Sequence, residues 1–200
     1  MRSIQPLVSI VFLFSAGFSA AQERIFDGPG LSYTYFDFGY ERRSFDDADL
    51  MDGDGGFLEF SFGGIPFIYF TGEMHYSNAE SFLSGDEIDF IDADLGVGLR
   101  FTALDTISFY IEGGLAYSDF DIDVTELDAI ARDDLGLYLE PGLKLGLFGR
   151  LEVNAALKYR QFEDDALLGG KVGAVIGLTD KLGITLDAGV EEESEYIGIG

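Results

Sequence analysis

Residues 73–78 read E-M-H-Y-S-N, and His75 is the only histidine in the chain. Ser77 follows it by two positions. Residues i and i+2 of a β-strand point to the same face. His75 and Ser77 could therefore act as a base and a nucleophile, with an acid such as Asp89 or Glu87 orienting the imidazole. A second group with chemical potential is the stretch S-F-D-D-A-D-L-M-D-G-D-G-G, with Asp at 46, 47, 49, 52 and 54. Carboxylates two apart among glycines suit a calcium loop, and Asp47, Asp49, Asp52 and Asp54 are the candidate ligands. The spacing departs from the EF-hand pattern, so a solvated acidic loop is the simpler reading. No cofactor is implied.

The elements that must position these groups follow from composition and periodicity. The chain has 200 residues, no cysteine, and 12 Lys+Arg against 37 Asp+Glu, a formal net charge of −25. That charge argues against nucleic acid as a partner. Acidity alone would suit a disordered chain, but 19 Phe, 10 Tyr and 27 Gly do not. At the start, one basic residue precedes an apolar run from Leu7 to Phe18 and then Ser19-Ala20-Ala21. The run is too short to span a membrane as a helix, and small residues at −3 and −1 suit signal peptidase. Residues 1–21 are expected to be a secretory signal cut after Ala21, and 22–200 a single domain.

Beyond Pro29 the chain alternates apolar and polar residues with period two. Phe36, Phe38 and Tyr40 oppose Asp37, Gly39 and Glu41. Phe70, Met74 and Tyr76 oppose Glu73 and His75, and Leu95, Val97, Leu99 and Phe101 oppose Asp92, Asp94 and Arg100. The same reading continues to the end and yields ten strands, with eight as the alternative. Connectors alternate along the chain. Those around 63–66, 102–106, 146–149 and 179–181 are tight; those at 42–55, 78–87 and 119–133 are long and acidic, and those at 163–166 and 191–195 shorter but acidic.

Short turns at one end and longer polar loops at the other mark an outer-membrane barrel. Nine to eleven residues per strand suffice to cross the bilayer at a tilt, and closure pairs every backbone group. Tyr40, Tyr76, Phe101, Tyr117 and Tyr159 fall near strand ends, where aromatic girdles sit. The expected fold is an all-β, transmembrane, antiparallel, up-and-down barrel in a Gram-negative outer membrane. Its inward set is Asp37, Glu41, Glu59, Glu73, Asp92, Asp94, Glu112, Glu140, Glu152 and Asp187, with Arg100, Lys144, Lys158, Arg160 and Lys171. Buried charges must be paired, so the expectation is a lumenal ion network, or else a narrow cation-selective pore.

The phrases L-S-Y-T-Y-F-D-F-G-Y-E, D-L-G-V-G-L-R-F and F-Y-I-E-G-G-L-A-Y resemble small outer-membrane β-barrels of the OmpA-like and porin-like kind. That resemblance covers residues 30–200 and implies a structural or porin-like protein. It also implies outer-membrane lipid, lipopolysaccharide and the barrel assembly machinery as partners. Such barrels usually end on Phe or Trp, whereas this chain ends on Gly200. H-Y-S-N resembles a stretch of outer-membrane lipid A 3-O-deacylases, which would make His75 the base, Ser77 the nucleophile and Asp89 the orienting acid. Parity opposes that assignment: His75 projects into the barrel, while a lipid A ester approaches from outside. About seven strands also follow the motif, which lies late in the deacylases. The preferred reading is an inward histidine bonded to lumenal carboxylates such as Glu73. A soluble secreted β-sandwich is the third alternative. It would have to pack its Phe and Leu faces against each other.

Overall fold

The computed structural model describes residues 33–45, 52–80, 87–122, 130–163, 165–179, 182–192 and 194–200. The expected signal at 1–21 and the candidate ligands Asp47 and Asp49 lie outside these residues. The chain forms β1 (Tyr35–Phe45), β2 (Gly53–Ile65), β3 (Ile68–Glu80), β4 (Glu87–Leu104), β5 (Ile107–Ile122), β6 (Ile130–Leu147), β7 (Leu151–Gln161), β8 (Ala166–Gly177), β9 (Gly183–Glu191) and β10 (Ser194–Ile199). Each strand pairs antiparallel with its sequence neighbours, and β1 pairs with β10 to close the barrel. The topology is thus all-β and up-and-down, with ten strands. The joins differ in length: β1 and β10 pair over six residues, β4 and β5 over sixteen.

Parity decides which way each side chain faces. Phe36, Phe38, Phe70, Leu95, Leu115, Leu137 and Val172 lie on the outer wall, Phe38 being 69% exposed. No soluble barrel leaves so continuous an apolar wall facing water. In a bilayer this wall faces hydrocarbon while the ladder satisfies its own backbone groups. Tyr40, Tyr76, Tyr117 and Tyr159 ring the loop end of the wall, and their hydroxyls donate to Asp54, Asp89, Asp119 and Gln161. Phe67, Phe101, Phe109 and Phe148 ring the turn end and are exposed.

The strands outrun the sequence expectation at the loop end. The ends of the connectors expected at 42–55, 78–87 and 119–133 are ladder: β1 runs to Phe45, β4 starts at Glu87, and β5 and β6 reach Ile122 and Ile130. At 18 residues, β4 and β6 are far longer than a membrane crossing requires. Backbone pairing does not need a buried face, so acidic hairpins continue into water once the apolar alternation has stopped. One interruption is local. The β6–β7 register runs from Leu139↔Tyr159 to Gly142↔Ala156, skipping Pro141, which has no N–H to donate.

The inner face is packed by tyrosines laid over glycines. A Cβ on Gly98 would meet the ring of Tyr69, its register partner across β3–β4, and Gly142 and Gly189 leave the same room for their partners Tyr110 and Tyr196. Tyr33, Tyr69, Tyr110 and Ala156 form one buried cluster, and Ala116, Tyr138 and Phe162 another. The glycine-rich inward face is therefore space given to aromatic rings rather than open lumen.

Candidate functional site

The inward charges converge on Glu73. Its carboxylate is paired with Lys158, lies 3.1 Å from Lys171 and 3.7 Å from Arg160. Each cation has a second partner: Lys158 with Asp94 at 2.7 Å, Lys171 with Glu140 at 3.0 Å, Arg160 with Asp94 at 2.9 Å and Glu191 at 3.2 Å. Glu73 and Asp94 face each other across β3–β4, whereas Lys158 comes from β7, on the far side of the lumen. The network therefore ties opposite walls together.

A second branch lies toward the loops. Glu41 is fully buried; its Oε2 sits 2.6 Å from His75 Nδ1 and its Oε1 lies 3.5 Å from Arg43. Arg43 in turn pairs with Asp92 at 2.6 Å, and Ser118 donates to the other Asp92 oxygen. Toward the turns, Lys144 pairs with Glu152 at 3.3 Å and lies over the rings of Tyr33 and Tyr35. Tyr69 donates to Glu112 at 2.7 Å and Tyr110 to Glu140 at 3.2 Å.

Most of the expected inward set is brought together: Glu73, Asp94, Glu140, Lys158, Arg160 and Lys171 at the centre, Asp92 above, Glu112, Lys144 and Glu152 below. Arg100 stands apart at the turn end, stacked on Tyr33 at 4.8 Å with Nε donating to the Pro66 carbonyl at 2.9 Å. Glu59 and Asp37 make no hydrogen bond or ion pair with a described residue. Two members were missed. Arg43 was assigned to a loop because an acidic stretch begins beside it, although it shares parity with Glu41. Glu191 falls at the edge of the acidic connector expected at 191–195, although it shares parity with Asp187.

The three deacylase-like positions do not assemble. Ser77 is 1% exposed and its Oγ has no hydrogen-bond partner among the described residues, so it is not bonded to His75. Asp89 lies on the outer face, where it accepts from Tyr76 at 2.8 Å and Asn78 at 2.9 Å. The imidazole's acid is Glu41, from β1. Of the loop aspartates, Asp52 pairs with Arg42 at 3.1 Å with both side chains exposed, and Asp54 takes the Tyr40 hydroxyl. Exposed pairs of this kind contribute little to stability.

Two small cavities interrupt the packed lumen, each about 30 Å³. Each has room for a water or two and none for a solute. Both are lined by Glu73, Lys171 and Tyr196.

Solved structures similar to this chain include Ail, the attachment invasion locus protein of Yersinia pestis, at 14% identity and a TM-score of 0.47 over 82% of this chain and 94% of that one. OprG of Pseudomonas aeruginosa has 15% identity and a TM-score of 0.47, over 86% and 97% of the two chains. Neisserial surface protein A has 10% identity and a TM-score of 0.44, over 84% and 97%. No curated protein matches the sequence. The model of the outer membrane protein beta-barrel domain matches residues 8–190. With that match over nearly the whole chain, and with an apolar wall around a charged lumen, the protein belongs to the outer-membrane β-barrel family.

Proposed function

We propose that this barrel is a structural membrane protein whose lumen is held shut. Its outer wall sits in outer-membrane lipid, and its acidic hairpins stand clear of the bilayer toward lipopolysaccharide. The observation that carries the reading is the cross-lumen network at Glu73, which joins β3 to β7 and β8 with Lys158, Arg160 and Lys171. A carboxylate shared by three cations, each with a second acid, fills the middle of the lumen with paired charge. The reading needs no catalytic step.

A second reading is a narrow cation path, favoured by one observation. The two cavities meet at the same three residues, and around the one lined by Glu59, Glu112, Glu140 and Asp187 the carboxylates outnumber the bases. Conductance in planar bilayers separates the two. The purified barrel is expected to give no resolved channel steps in 1 M KCl. Steady steps with a reversal potential set by the cation gradient would replace the closed reading with the second.

A further inference from the structure

We propose that the lumen carries a transition-metal site built from Glu59, Glu73 and His75, with Glu41 positioning the imidazole. One ligand atom from each of the first three lies within 4.8 Å of the others. Glu59 and Glu73 are register partners on β2 and β3, and His75 is two residues along the same face of β3. Three donors are thus set on rigid neighbouring strands, as a metal site requires. Zinc ligands at about 2.0–2.2 Å stand roughly 3.4 Å apart in a tetrahedron. Rotation of the two glutamate side chains covers the difference.

The histidine carries the argument. It is 6% exposed, and its Nδ1 lies 2.6 Å from the fully buried Glu41 carboxylate. Arg43 lies 3.5 Å from the other Glu41 oxygen. With Nδ1 held by Glu41, Nε2 is the ring nitrogen left to face Glu73. This carboxylate–histidine arrangement orients metal-bound imidazoles and fixes their tautomer. Nε2 points at Glu73 Oε1 from 3.9 Å, beyond hydrogen-bond range. No hydrogen bond from a described residue occupies it.

Three further observations fit a cation here. Glu59 makes no hydrogen bond or ion pair with a described residue, so it is available as a ligand. Asp187 lines the same cavity as Glu59 and Glu73, and its Oδ2 is buried without a hydrogen bond, so a fourth oxygen is at hand. Lys158 and Lys171 keep Asp94 and Glu140 when Glu73 turns toward a metal. One imidazole among carboxylates suits Zn²⁺ and its first-row neighbours better than Ca²⁺ or Mg²⁺, which prefer all-oxygen shells. The site does not depend on whether the lumen conducts.

The test is calorimetric titration of Zn²⁺ into the chelator-treated, refolded full barrel in detergent, for wild type and for Glu59→Gln, His75→Gln and Glu41→Gln. Heat-modifiable gel migration checks that each variant is folded. Wild type is expected to bind one Zn²⁺, with excess Ca²⁺ failing to displace it. Glu59→Gln and His75→Gln are expected to weaken binding at least tenfold, and Glu41→Gln by about 10–100-fold. Glu59→Gln breaks no pairing among the described residues, so it decides the matter even if His75→Gln does not fold. Absence of stoichiometric binding, or binding unchanged in folded Glu59→Gln, overturns the proposal and leaves only adventitious contact with the acidic hairpins.

Discussion

Leu95→Arg lowers the stability of the barrel folded in lipid vesicles by about 2–4 kcal/mol, the cost of a cation at the bilayer midplane. Leu95 is 57% exposed and lies in the middle of the outward positions of β4, which run from Asp89 at the loop end to Phe101 at the turn end. Its register partners are Gly72 and Leu115, so it has apolar wall on either side. On a soluble protein, arginine at so exposed a position changes stability by no more than about 0.5 kcal/mol. Asp89→Arg on the same strand supplies the depth control and is expected to cost about 0–1 kcal/mol. Urea unfolding from vesicles, followed by tyrosine fluorescence or gel migration, reads both. Equal, small effects at the two positions would contradict the lipid-facing wall.

Glu73→Ala is expected to destabilise the barrel by about 3 kcal/mol, at the lower end of the range for breaking a buried ion pair. The low end applies because Lys158, Arg160 and Lys171 each retain another carboxylate. The loss comes less from missing attraction than from three desolvated cations left with fewer acids. A paired substitution tests that mechanism. Glu73→Met with Lys171→Met removes one charge of each sign and fills the same volume. It should recover most of the stability, since apolar replacement of a whole buried pair is often neutral or better. If the double variant is as unstable as the sum of the singles, the two side chains are not coupled through charge, and the network is a packing feature only.

How much of this was legible in the sequence depends on the kind of information needed. Faces were legible, because the side-chain period of a strand is two and the outer wall is apolar almost without a break. Parity from Phe36 to Val190 assigned the wall and the lumen; Asp89 shares the parity of Leu95, which its pairing with His75 did not take into account. Strand ends were not legible at the loop side. There both faces of the hairpin meet water, alternation stops, and pairing continues unseen; Arg43 was missed for this reason. Partners across the lumen were not legible either. Parity says that Lys158 and Glu73 both point inward, but not that they meet. Their heights depend on the stagger of the barrel, and 85 residues separate them. The role of Glu41 as the acid behind His75 was hidden in the same way, since it comes from a strand that is not the neighbour of β3 in the ladder.

The unequal joins of the wall have a mechanical consequence. A closed circumference parts first at its shortest overlap, where the fewest backbone hydrogen bonds have to be given up together. Here the shortest overlaps are the two that hold β10, six residues against β1 and six against β9, while β4 against β5 holds sixteen. Amide exchange should therefore be fastest along Tyr40–Phe45 and Ser194–Ile199 and slowest along the middle of β4 and β5; uniform protection around the ring would count against an uneven wall. The cross-lumen ties do not close this gap, since β10 contributes no ion pair to them among the described residues. The barrel is thus a clasped band rather than a uniform ring, with its clasp opposite its thickest section.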